Sequence, residues 1–175
     1  MPTLSIVIVN YNVRHFLTNC LDSIEKSKKM GFQVETIVVD NASIDGSITA
    51  ISSSFPEVKL IENKTNVGFG KANNQGFDTA SGQYILALNP DTILQEDTLN
   101  RCWQFMESNR DCGVLGVKMV DGSGTYLPES KRGRPSLWNA FCKFSGLTSL
   151  FPKSKWTSGY YLGHLDEDQI QEVEV

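Results

Sequence analysis

Short apolar runs alternate along this chain with longer stretches in which apolar residues return every three or four positions. Residues 4–9 are almost all β-branched or aliphatic, the pattern of a strand covered on both faces. Phe16, Leu17, Cys20, Leu21 and Ile24 then recur at helical spacing. Residues 34–39 form a second strand-like run. Ser43 can cap a short helix that ends near Phe55, where Pro56 follows. Residues 58–62 give a third run, and 70–80 have a helical pattern closed by Ser81-Gly82. Residues 84–88 are a fourth run. Leu99, Cys102, Trp103 and Met106 mark the apolar stripe of the next helix, and residues 114–120 predict a fifth strand before the turn signal Asp121-Gly122. This strand–helix alternation predicts an α/β fold: a doubly wound, mostly parallel sheet with helices on both faces.

After Tyr126 the rhythm changes. Lys131, Arg132, Arg134, Lys143, Lys153 and Lys155 punctuate a stretch without a single acid, interleaved with Trp138, Phe141, Phe144, Leu147, Leu150 and Phe151. Apolar positions at 138, 141, 144 or 145, and 148 do not make a clean helical stripe. The plainer reading is that these aromatics pack on further chain and the basic groups are solvated. The other is a peripheral contact with an anionic membrane face. The closing residues swing acidic, and Glu172-Val173-Glu174-Val175 reads like the start of another strand, as in a piece of something longer.

Composition narrows the function classes. With 175 residues, 40% hydrophobic and 21% charged, the chain is long enough for one ordinary domain with a sizeable core. A net charge of −4 argues against a general nucleic-acid binder. No run reaches the length of a membrane span, and the first apolar run is too short for a signal-peptide core. Cys20, Cys102, Cys112 and Cys142 are scattered, which suggests reduced thiols and a cytoplasmic location. His15 and His164 stand alone and take no catalytic role.

The candidate chemistry lies where the runs stop. The first ends in Asn10-Tyr11-Asn12, the second in Asp40-Asn41-Ala42-Ser43, the fourth in Asn89-Pro90-Asp91. Pro90 ends its strand, because it lacks an N–H and disfavours helix at Asn89. A carboxylate there sits where such sheets place ligands, and it can hold a divalent cation that clamps phosphates. A turn-forming Asn-Pro-Asp is the bland alternative. Asp40 can accept from the N–H edge of a pyrimidine; its bland role is capping the helix after it. Between the third and fourth runs, the glycines of Asn66-Val67-Gly68-Phe69-Gly70-Lys71-Ala72-Asn73-Asn74 allow close backbone approach. The free N–H groups of a helix start suit phosphate. Three polar strand ends at one sheet edge point to a polar ligand site.

In order and spacing, these strings resemble the family 2 inverting glycosyltransferases, which share the GT-A (Rossmann-like) fold. The match runs from about Leu4 to Val120. A looser one, carried by Arg132, Arg134-Pro135-Ser136-Leu137-Trp138 and Leu150-Phe151-Pro152, is to the rhamnosyltransferase-like branch that builds surface polysaccharides. The resemblance implies a nucleotide-sugar core over residues 1–125 and a partial acceptor-side segment over 126–175. It implies a UDP- or dTDP-sugar donor and a saccharide or lipid-linked acceptor. Asp40 would read the base, with Asn10, Tyr11, Asn12 and Asn41 lining the base and ribose pocket. Gly68, Lys71 and Asn73 would help hold the donor. Asn89-Pro90-Asp91 stands at the family's Asp-x-Asp motif, so Asp91 would ligate Mg²⁺ or Mn²⁺, and Asn89, an amide in place of the first Asp, would bond a sugar hydroxyl. The family's general base is a carboxylate in an acidic motif near aromatics. Asp166-Glu167-Asp168 lacks that setting and reads as a solvated loop, so the base is expected beyond Val175. Two other classes stay open. A sugar nucleotidyltransferase would carry a basic Gly-rich loop after its first strand, where Asn10-Tyr11-Asn12 stands. A non-catalytic sugar-nucleotide module would lack the base.

Overall fold

A computed structural model describes residues 3–28 and 31–173, without the side chain of Glu129. The chain divides into two compact units, Met1–Arg110 and Asp111–Val175.

In the first unit the alternation becomes β1 (Leu4–Asn10), α1 (Arg14–Ser27), β2 (Val34–Asp40), α2 (Ser47–Ser54), β3 (Lys59–Glu62), α3 (Phe69–Thr79), β4 (Tyr84–Leu88) and α4 (Thr98–Ser108). The four strands form one sheet in the order β3-β2-β1-β4, and every pairing is parallel. β1 is wholly buried, as its mostly apolar run requires. One face of the sheet carries Ile6, Ile8 and Val38 against Leu17, Leu21, Ile24, Ile51 and Leu99 from α1, α2 and α4. The other carries Val9 and Val39 against Ala72 of α3. Helices therefore cover both faces, in the doubly wound arrangement. α3 lies so close that a Cβ on Gly76 would stand 2.3 Å from Val7 Cγ1. Phe16 leaves the predicted stripe of α1 and is 55% exposed.

Two local readings change. α2 starts at Ser47 behind Gly46, and Ser43 does not cap it. The Asp45 carboxylate instead accepts from the Ser47 amide at 3.0 Å, which frees the Ser43 hydroxyl for the strand ends. The predicted fifth strand at 114–120 does not form. A strand needs a ladder partner, and there only Val120 pairs, in an isolated antiparallel bridge to Tyr126 across the Asp121-Gly122 turn. Val114 is 86% exposed. The second unit instead folds around two short helices, α5 (Leu137–Phe144) and α6 (Leu147–Leu150). Glu172 and Val173 are not in a strand, and residues 174 and 175 lie outside the described residues.

At the edge of the sheet where the strands begin, one carboxylate gathers several elements. Glu35 accepts from Ser5 Oγ at 2.5 Å, from the Ser81 amide at 2.6 Å and hydroxyl at 2.8 Å, and from Lys59 Nζ at 2.6 Å. Burial by itself would raise the Glu35 carboxyl. The donors from Lys59, Ser5 and Ser81 outweigh it and hold the group at about 2, against an ordinary 4.5. A carboxyl depressed in the folded state stabilises the fold above its unfolded value, and that contribution is lost as pH falls toward the folded one. Thermal melts should therefore show stability falling between pH 4.5 and about 2. Glu35→Gln should melt lower than wild type at pH 7 and lose less on acidification. An unchanged acid limb in the variant would remove Glu35 from this role.

Candidate functional site at the carboxyl edge of the sheet

The strand order reverses at β1, whose connection runs to β2 on one side while β4 lies on the other. In such sheets the crevice beyond the carboxyl ends at that reversal receives ligands. Asn10 stands opposite Asp40, and Ile8 opposite Leu88. At about 3.3 Å per residue, the ends of β1, β2 and β4 fall within roughly two residue rows of one another.

The rim is built from buried polar groups. Asn10 and Asp40 are fully buried. Asn10 Nδ2 donates to Asp40 Oδ2 at 2.6 Å and to Ser43 Oγ at 3.0 Å. Asp40 Oδ1 accepts from the Ser43 amide at 2.8 Å. Asp40 thus caps the turn after its own strand, not the helix beyond it. Ser43 Oγ also accepts from the Asn12 amide at 2.9 Å, and Asn12 Oδ1 accepts from the Ile44 amide at 2.8 Å. This cross-linking holds Asn12 at φ 55° and Ala42 at φ 70°, a left-handed region that Asn tolerates and Ala rarely enters. Asn10 Oδ1 is buried without a partner. Tyr11, between the two asparagines, is 49% exposed.

Asn41 carries the order outward to the glycine loop. Its amide nitrogen donates to Asn66 Oδ1 at 2.9 Å. Its oxygen accepts from the Val67 amide at 3.0 Å and from Asn63 Nδ2 at 3.2 Å. Asn63 also pairs with Gln75 through two amide bonds at 2.8 and 3.0 Å. Gly68, at φ 87°, opens α3 with no side-chain cap, so that helix start keeps free donors. Asn73 is buried and spends its amide on the Phe69 carbonyl at 3.0 Å. Lys71 is exposed.

The segment after β4, from the Asn89-Pro90-Asp91 turn to Gln95, is fastened by α1. Cys20, Ser23 and Ser27 lie at helical spacing on one face of that helix, all buried. Cys20 Sγ approaches the Asn89 carbonyl at 3.8 Å, Ser23 Oγ accepts from the Leu94 amide at 3.0 Å, and Ser27 Oγ donates to the Gln95 carbonyl at 2.9 Å. Burial, and then the nearby Asp91 charge, pushes the Cys20 thiol up to about 12, so it stays protonated and inert. Asn89 and Asp91 themselves are exposed, and Asp91 has no ion pair among the described residues. No three His, Cys, Asp or Glu side chains cluster among the described residues, so no all-protein metal cage exists there. A single free carboxylate at the rim fits a Mg²⁺-type site, completed by phosphate oxygens and water.

Asn63, Ser23, Ser27 and Cys20 escape a reading of motifs. Asn63 has a signal, since it directly follows the third apolar run as Asn10 follows the first. The α1 residues have none, because a serine at helical spacing looks the same whether it faces water or clasps a loop.

Comparison with known proteins agrees with the fold. Residues 5–167 match the profile of Glycosyl transferase family 2. The chain is 30% identical over 139 residues to a poly(ribitol-phosphate) beta-glucosyltransferase of Bacillus spizizenii, covering 77% of this chain and 22% of that protein. It is 29% identical over 136 residues to an uncharacterized glycosyltransferase of Methanocaldococcus jannaschii, covering 74% of this chain and 47% of that one. The crystal structure of Staphylococcus aureus TarS residues 1–349 in complex with UDP-GlcNAc superposes with a TM-score of 0.61 at 26% identity, over 78% of this chain and 38% of that chain. The chain therefore spans less than half the length of these relatives.

Asn41→Ala would strip partners from the Val67 amide, Asn63 and Asn66 at once. Urea unfolding should show a loss of about 0.5–1.5 kcal/mol, the net worth of a part-buried hydrogen bond, since Asn63 keeps Gln75 and Asn66 keeps the Gly68 amide. Lys71→Ala, on the exposed side of the same loop, should change stability by less than about 0.5 kcal/mol. Equal effects from the two would contradict the division between buried fasteners and exposed contacts.

Proposed function

The chain belongs to Glycosyl transferase family 2, and from that premise we propose that its sheet edge binds a nucleoside-diphosphate sugar, UDP- or dTDP-linked. In the reaction we propose, the sugar passes with inversion to a saccharide or lipid-linked acceptor in polysaccharide biosynthesis. The observation that carries this is Asp91: a free, exposed carboxylate on the segment fastened by α1, beside the fastened polar rim of β1 and β2. In this reading Asp91 holds Mg²⁺ or Mn²⁺ against the diphosphate, and the cation supplies charge compensation for the leaving group.

The chain's own groups divide the rest of the work. The uncapped start of α3 and the Lys71 ammonium offer N–H donors and positive charge to the phosphates. The Tyr11 ring presents a face on which a base can stack. Asn89 offers an amide to a hydroxyl of the ribose or sugar. Asp40 acts first as a positioning group, since both its oxygens already accept bonds inside the chain. A carboxylate has further lone-pair sites, so a base N–H can be accepted there once the Tyr11–Asn12 turn yields. The relatives whose names state an acceptor act on poly(ribitol-phosphate). An anionic polyol-phosphate polymer is accordingly the acceptor class we favour.

Calorimetric titration of UDP and dTDP, with Mn²⁺ and with chelator, tests this. The expected result is at least tenfold tighter binding of one nucleotide with Mn²⁺. Asp91→Ala should abolish that gain without moving the melting temperature. Asp40→Ala should weaken binding even under chelator and also lower the melting temperature, because it unfastens the rim. Equal, weak heats in all conditions would sink the proposal.

A further inference from the structure

The second unit holds an open cavity of about 380 Å³. Arg134, Lys155, Asn139, His164 and Glu172 give it a polar lining, to which Leu162 and Leu165 add apolar surface. Its wall depends on close backbone packing. Gly133 is buried, its N–H donates to the Tyr160 carbonyl at 2.9 Å, and a Cβ there would stand 2.4 Å from the Gly159 carbonyl oxygen. Asn139 Nδ2 donates to the Arg134 carbonyl at 2.9 Å, which ties α5 to the segment before it. Lys131 Nζ donates to the Leu165 carbonyl at 2.8 Å. Leu162 is held at φ 49°, a left-handed region that Leu rarely enters. Such a conformation persists only where the surrounding structure over-determines it. The cavity is therefore built into the unit.

Acids and bases nearly balance over the unit as a whole, so the charge of the lining decides what the cavity can take. Two cations, Arg134 and Lys155, stand there against one carboxylate, Glu172. None of the three forms an ion pair among the described residues. The imidazole of His164 senses the same balance. Burial first, and then the charges of Lys155 and Lys131, hold it below its ordinary 6.5, so it is neutral at pH 7. Its Nδ1 is buried without a hydrogen-bond partner. In the tautomer protonated at Nδ1 it is a donor awaiting an acceptor, beside a guanidinium and an ammonium in the same state. The guanidinium fork matches phosphate oxygens two at a time, and the ammonium adds a point charge. The cavity has the volume of roughly a dozen waters at about 30 Å³ each, more than a bare phosphate fills. Glu172, an acceptor only, calls for hydroxyl donors. A polyol carrying a phosphate satisfies both kinds of lining at once.

We propose that this cavity binds a polyol phosphate ester, with the phosphate on Arg134, Lys155 and the His164 Nδ1–H and polyol hydroxyls on Glu172. Binding here does not depend on the donor reading of the sheet edge. Its use as an acceptor subsite rests on the polyol-phosphate acceptor class favoured above.

The chain has two histidines, His15 and His164, so imidazole NMR of the 175-residue chain reads the site directly. Glycerol phosphate, titrated at constant ionic strength, should move the His164 ring signals saturably and raise its titration midpoint, because a bound anion favours the imidazolium. The exposed His15 should stay put. Arg134→Gln and Lys155→Gln should each weaken binding roughly tenfold, the loss of a hydrogen bond to a charged group. Glycerol phosphate should bind roughly tenfold tighter than inorganic phosphate, and Glu172→Gln should erase that preference. All three substituted side chains are exposed, and the variants should keep the wild-type melting temperature. They should also leave Mn²⁺-dependent UDP titration unchanged, so failure here is distinguishable from failure of the donor reading. Four results would each overturn the proposal: no saturable shift at His164, a shift reproduced by sodium chloride alone, inorganic phosphate binding as tightly as the ester, or unchanged binding in Arg134→Gln and Lys155→Gln.

Discussion

The site depends on one buried contact: the Asn10 amide donating to the Asp40 carboxylate across neighbouring strand ends at 2.6 Å. A parallel sheet packed on both faces must finish its strands in polar residues, because the chain has to leave the core there. Burying a carboxylate without donors would cost several kcal/mol. Asp40 avoids that with one donor from β1 and one from the turn after β2, so satisfying it stitches two strand ends together. Ser43 extends the stitch to Asn12, and Asn41 extends it to the loop ahead of α3. Removing the carboxylate would leave Asn10, Ser43 and two left-handed residues without their reason for order.

A consistent division of labour follows. The polar groups inside the rim, Asn10, Asp40, Asn41 and Asn73, hydrogen-bond within the chain, with Asn10 Oδ1 left over. Those at its surface, Tyr11, Lys71, Asn89 and Asp91, are exposed and available. Contacts from α1 treat residues 89–95 in the same way: Cys20 meets the Asn89 carbonyl, Ser23 and Ser27 hold Leu94 and Gln95, and the Asn89 and Asp91 side chains stay free. Most of a site of this kind is set before any ligand arrives, so binding pays only for moving the Tyr11–Asn12 turn.

The alternating apolar runs made the four strands, the parallel sheet and the two covered faces legible, because β-branched runs and 3.6-residue stripes state burial directly. The strand-end residues were legible as a group for the same reason: each is the first polar position after a buried run. What escaped depends on partners distant in the chain. Residues 114–120 have strand composition, yet a strand exists only when something pairs with it. Ser43 looks like a helix cap until Asp45 takes that role and the hydroxyl turns to Asn12. Asp40 also carries a structural duty that its own string does not show, since its partner amide lies 30 positions earlier.

Amide hydrogen exchange on the ligand-free protein tests the pre-formed rim most directly. The amides of Asn12, Ser43 and Val67 lie in loops, where exchange is ordinarily fast. The predicted result is slow exchange at all three in the wild-type chain. In Asp40→Ala, Ser43 and Asn12 should be deprotected together while the central amides of β1 stay slow. Loop-like exchange at these three amides in the wild type would contradict the claim that the strand ends are locked before a ligand binds.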